Sequence, residues 1–122
     1  MSLELRDLVI QTEETKISSN YIRVIYTFKG ELSDYNSYML RTHMEQWLDM
    51  SFAEYIIDLK PLNSLDIAGM NLLVQLQEEL VSKGAVFTVI APFKKKVMET
   101  IYLTKLTEAL NIEYFLDNEF DD

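Results

Sequence analysis

The run YIIDLKPLNSLDIAGMNLL, Tyr55 to Leu73, decides the fold. Its first part, YIIDLK, is short, rich in β-branched residues and stopped by Pro61, as a central parallel strand is. Beyond it the apolar period changes. Gly69, Leu72, Leu73, Leu76 and Leu80 recur on one helical face, and Lys83 with Gly84 supplies a C-terminal stop. Between the two runs lies the turn NSLDIAG. Strand-to-helix turns are where α/β proteins meet ligands and partners, because the first helical N–H groups lack an intrahelical acceptor and point outward.

Downstream, AVFTVI reads as a second apolar strand. Pro92 then opens a third helix carrying Phe93, Val97 and Ile101 at successive turns, and NIEYFL supplies a last strand before the acidic tail DNEFDD. Upstream, NYIRVIYTFKG sets Ile22, Val24, Tyr26 and Phe28 against Tyr21, Arg23, Ile25 and Thr27, the period-2 alternation of a strand with one face more buried. After Gly30 the period lengthens, and Leu40, Met44, Trp47 and Leu48 predict a helix from Asp34 to about Asp49 with Ser33 or Asp34 as N-cap. LELRDLVI gives a short first strand. Strands alternating with helices imply right-handed crossovers and a mostly parallel sheet, made mixed by the front hairpin. The expectation is one α/β domain over residues 1–122, with helices packed against the sheet.

Composition narrows the function classes. At 122 residues and 48% hydrophobic content, the chain can build one core unaided. No cysteine is present, which removes disulfides, Cys-ligated zinc and thiol catalysis and fits a reducing compartment. The charged start MSLELRDLVIQ lacks a signal-peptide core, and charged or polar residues interrupt every later apolar run, so a cytoplasmic protein is expected. A net charge of −9 disfavours nucleic acid and favours a protein partner.

With these elements placed, the sequence resembles the STAS domain, the family of sulfate transporters and anti-sigma factor antagonists. The resemblance rests on GELS (Gly30 to Ser33) entering the first helix, on YIIDLKPLNSLDIAG (Tyr55 to Gly69) and on KGAVFTVIAPFKKKV (Lys83 to Val97), in order and at the right spacing. It implies no catalytic activity, no cofactor, and work done by binding a protein: an anti-sigma factor or serine-kinase-like ATPase in bacterial transcription control. In the antagonists the serine directly after the motif Asp is phosphorylated, which releases the partner. Asp66 and Gly69 match that motif, but Ile67 holds the acceptor position and Ala68 follows, so the usual switch cannot operate at its usual site.

Each candidate residue has a plainer reading beside the functional one. Asp66 reads first as the N-cap of the second helix, accepting from the N–H of Ala68 or Gly69, and second as a partner contact. Gly69 reads as a close-packing position. Ile67 is either an apolar anchor for a partner or ordinary local packing. Ser64, three residues upstream, reads as a loop hydroxyl bonded to backbone rather than a substitute acceptor. His43 stands alone, without metal-site arithmetic, and reads as boundary packing. Lys94, Lys95 and Lys96 fall in the first turn of the third helix, where the dipole disfavours cations, and should flank the NSLDIAG turn. The candidate partner surface is therefore Ser64, Asp66, Ile67, Ala68, Gly69, Lys95 and Lys96, on a monomer or weak homodimer. One rival is a STAS scaffold subunit of a signalling or transport assembly. The other, of a different class, is a nucleotide-binding α/β protein, which the absence of a Gly-rich phosphate loop and of a His or Cys constellation opposes.

Overall fold

A computed structural model of the chain describes residues 2–103 and 108–114. The parallel core follows from the central run. Strand β4 (Glu54–Asp58) pairs in parallel with β3 (Tyr21–Leu32) on one side and with β6 (Val86–Ile90) on the other. A short strand β5 (Leu62–Leu65) pairs in parallel with the far end of β3, and β7 (Ile112–Glu113) with β6. At the opposite edge, β1 (Ser2–Leu5) and β2 (Leu8–Ser18) add antiparallel, giving the order β1-β2-β3-β4-β6-β7. The sheet is mixed and mostly parallel, as the sequence implies.

Helix α1 (Asp34–Asp49) joins β3 to β4, α2 (Ile67–Ser82) leads to β6, and α3 (Lys95–Leu103) leads toward β7. Every crossover steps the same way across the sheet, so right-handed connections place all three helices on one face. Burial follows that geometry. Val24, Tyr26 and Phe28, Tyr55 and Ile57, and Phe87 and Val89 are buried beneath the helices, whereas Ile25, Ile56 and Ile90, of opposite parity, are only partly covered. Trp47 of α1 lies flat on Tyr26, ring centroids 4.1 Å apart at 13°, and Tyr55 aims its hydroxyl at the Trp47 and Met50 carbonyls where α1 ends.

Three expectations need correction. LELRDLVI is two strands of a hairpin turning at Arg6 and Asp7, with Asp7 at a φ of 62°, a left-handed conformation that Asp tolerates. The second strand runs on through residues 12–18, almost wholly exposed, and β1 reaches only residues 8–11 of it. Asn63 and Ser64 lie in strand β5 rather than in a loop. The third helix starts at Lys95, not Pro92. Phe93 is exposed and donates its N–H to the Lys60 carbonyl, and the Lys94 carbonyl accepts from Val97 and Met98, so Lys94 precedes the first turn. Of the last strand, Ile112 and Glu113 pair with β6, while Phe115, Leu116 and the acidic tail lie outside the described residues.

Gly30 makes the hairpin possible. It sits opposite Leu8 at a φ of +109°, and a Cβ there would run into the Asp7 carbonyl oxygen, the same oxygen that accepts the Glu31 N–H at 2.7 Å.

Candidate functional site

The NSLDIAG turn is organised by one carboxylate. Asp66 is the extended N-cap of α2, and its Oδ1 accepts the Gly69 N–H at 2.9 Å. Its other oxygen, Oδ2, accepts the Asp34 N–H at 2.8 Å, the first amide of α1. The Asp66 N–H in turn donates to the Leu32 carbonyl at 3.2 Å. Two helix N-termini thus converge on a single anion, each contributing roughly half a positive charge from its aligned peptides. The capping role read from sequence is correct, and it extends to a second helix.

The first turn of α1 is fixed from beneath by Asn36, which is 1% exposed. Its amide donates to the Arg6 and Glu31 carbonyls at 2.9 and 2.7 Å, and its Oδ1 accepts the N–H of the N-cap Ser33 at 3.0 Å. The amide therefore ties the β1–β2 turn, the end of β3 and the start of α1 into one unit, with both of its N–H donors used and its oxygen accepting one bond. Sequence reading passed over it. The signal available was Ser33 followed three residues later by an amide, a variant of the capping box.

Gly69 closes the arrangement. A Cβ there would lie 2.8 Å from Leu32 Cγ, 2.9 Å from the Leu32 carbonyl oxygen and 2.9 Å from Leu65 Cδ1, so only glycine lets α2 press against the ends of β3 and β5.

What this packing leaves outside is Ile67. As the first residue of α2 it is 63% exposed, while Ala68 is partly buried and Gly69 buried. Ser64 is exposed on β5, opposite Glu31, and its hydroxyl has no hydrogen-bond partner among the described residues, which departs from the backbone-bonded loop hydroxyl expected. Lys94 bonds through its Nζ to Asn63 Oδ1, so the α3 end of this edge meets the turn at Asn63. Lys95 and Lys96 are exposed at the start of α3. Sequence reading missed two exposed rings at this edge, Phe93 beside Lys60 and Tyr38 of α1, the latter lining a groove between α1 and α2 with Ala68 and Asn71.

Comparison with known proteins agrees with this architecture. The STAS domain family model matches residues 12–118. Among solved structures, an anti-sigma factor antagonist from Mycobacterium paratuberculosis aligns at 21% identity with a TM-score of 0.69, over 91% of each chain. A putative anti-sigma factor antagonist from Thermotoga maritima aligns at 22% identity and a TM-score of 0.68, over 89% of this chain and 90% of that one. The unphosphorylated anti-sigma factor antagonist SpoIIAA aligns at 14% identity and a TM-score of 0.66, over 90% and 92%. No curated protein matches the chain. Among the described residues no helix is long and apolar enough to cross a membrane.

Proposed function

The chain belongs to the STAS domain family, and from that premise we propose that it is a non-enzymatic regulatory module that binds an anti-sigma factor or serine-kinase-like ATPase through the NSLDIAG edge, residues 63–69. The fold it shares with anti-sigma factor antagonists supports a protein-binding role. The observation that carries the reading is the exposure of Ile67. A residue 63% exposed, directly after the carboxylate that fixes two helix starts, presents a methyl-rich side chain on rigid backbone, the form an interface anchor takes. A phosphoserine at that point would place about −1.5 to −2 charges at a helix N-terminus, which the domain would tolerate and an apolar interface would not. With isoleucine there, the module stays binding-competent and carries no phosphate at this turn.

The test pairs the protein with the serine-kinase-type ATPase from its own genome. Ile67→Asp should abolish binding while the far-UV circular dichroism spectrum stays unchanged, because the side chain lies largely outside the core. Incubation with the kinase and ATP, followed by mass spectrometry, should find no phosphate on residues 63–69. Wild-type binding by Ile67→Asp would move the partner surface elsewhere, and phosphate on Ser64 with loss of binding would restore a switch.

A further inference from the structure

A cavity of about 280 Å3 opens against the C-terminal half of α1, whereas the Asp66 turn lies at the N-terminal end of that helix. Leu3 from β1, Tyr26 from β3, Trp47 from α1 and Phe52 give it an apolar, aromatic wall, and Glu14 and His43 stand among them. Because Trp47 lies flat on Tyr26, ring stacking fixes the aromatic part of the wall. No lysine or arginine lines the cavity, and Glu14 is its one carboxylate. The Glu14 carboxylate has no ion-pair partner among the described residues.

Tyr26 is the informative residue. It is only 2% exposed, yet its hydroxyl has no hydrogen-bond partner among the described residues. Every fully buried side-chain nitrogen or oxygen among those residues does have one, so the Tyr26 oxygen must be the part that reaches the cavity. Burial, and to a smaller degree the neighbouring Tyr55 and Glu14, push this phenol well above the usual tyrosine value. It is a neutral hydroxyl at physiological pH, with lone pairs free to accept. A mostly apolar pocket with a few convergent, unpartnered polar groups is the usual form of a small-molecule site. One carboxylate in that lining, in a chain of net charge −9, selects a cation.

We propose that this cavity binds a small organic ammonium ion, its apolar body against Trp47 and Phe52 and its nitrogen donating to Glu14 and to the Tyr26 hydroxyl oxygen. A cavity of about 280 Å3 suits a body the size of a phenylalkylamine. The site is independent of the Ile67 edge, so its occupancy is tested without any protein partner.

Trp47 is the sole tryptophan, so its fluorescence reports the cavity directly. The protein is titrated with phenethylamine, with phenylacetate as the same apolar body of opposite charge, and with 2-phenylethanol as the neutral body. Phenethylamine should change Trp47 emission saturably, and the other two should bind at least about tenfold more weakly. Glu14→Gln, at an exposed position, should weaken the amine about tenfold, and Tyr26→Phe, which keeps the ring, about threefold. Equal binding of phenylacetate or phenylethanol, an amine affinity unchanged in Glu14→Gln, or no saturable response to the amine would each overturn the assignment.

Discussion

Replacing Asp66 by Ala removes the acceptor of two N–H groups at once, one at the start of each of two helices. The two losses are unequal. Gly69 is buried, so water cannot substitute, and a lost N-cap bond of this kind costs about 1–2 kcal/mol. Asp34 is exposed, its N–H rehydrates, and what remains is the helix-dipole contribution of about 0.3–1 kcal/mol. The sum is about 1.3–3 kcal/mol, a large fraction of the stability of a domain this size. Asp66→Asn keeps one acceptor oxygen and turns its amide toward the other N–H, so it should fall between, near 1 kcal/mol. Urea unfolding followed by far-UV circular dichroism gives both values, provided the slope with denaturant stays constant. A loss under about 0.5 kcal/mol for Asp66→Ala, or equal losses for Ala and Asn, would refute the double cap and reduce the second bond to a solvent-replaceable contact.

Asn36→Ala leaves the Arg6 and Glu31 carbonyls and the Ser33 N–H without their partner and should cost about 2–4 kcal/mol in the same unfolding assay. Combined with Asp66→Ala it should depart from additivity, because both groups hold the first turn of α1. Tyr26, buried and neutral in the fold, ionises near pH 10.0 once unfolded. Its folded value lies higher, so its stabilising contribution is intact below pH 10 and is lost above it, at up to about 1.4 kcal/mol per pH unit. Tyr26→Phe should flatten alkaline unfolding curves over that range. In the partner assay, Lys95→Glu with Lys96→Glu should slow association and reduce its salt dependence while leaving dissociation nearly unchanged, as charges at the rim of an interface do.

The parallel core was legible because burial there writes a strong pattern. β3 and β4 carry alternating or β-branched runs, and α1 spans the residues predicted from Leu40, Met44 and Trp47. The Asp66 cap was legible for the same reason that helix starts usually are, a short carboxylate before an apolar-periodic run. What escaped is what burial does not write. QTEETKIS in β2 is exposed on both faces and shows no apolar period, so nothing in it announces a strand. β5 has only four residues, and its pairing with β3 depends on a register that no local pattern encodes. Lys94, Lys95 and Lys96 are indistinguishable in sequence, and only the Asn63 contact and the carbonyl of Lys94 separate the residue before the helix from those within it. The bridge from Asp66 to Asp34 spans 32 residues, beyond any spacing rule.

The unequal lengths of β1 and β2 have a consequence for solubility. Past Gln11 the outer rim of β2 has no strand beside it among the described residues, so a row of amides and carbonyls stands ready to template a second chain. Glu13, Glu14 and Lys16 lie along that rim, and a bulge between Lys16 and Ser18 breaks its straight run. Such charges and kinks are the gatekeepers by which proteins keep an open rim from seeding fibrils. Since Glu14 also lines the cavity beside Trp47, the residue that selects an ammonium ion is one that guards against self-adhesion. Neutralising it would expose the chain to both losses, which gives a reason for a carboxylate at this position that neither role supplies alone.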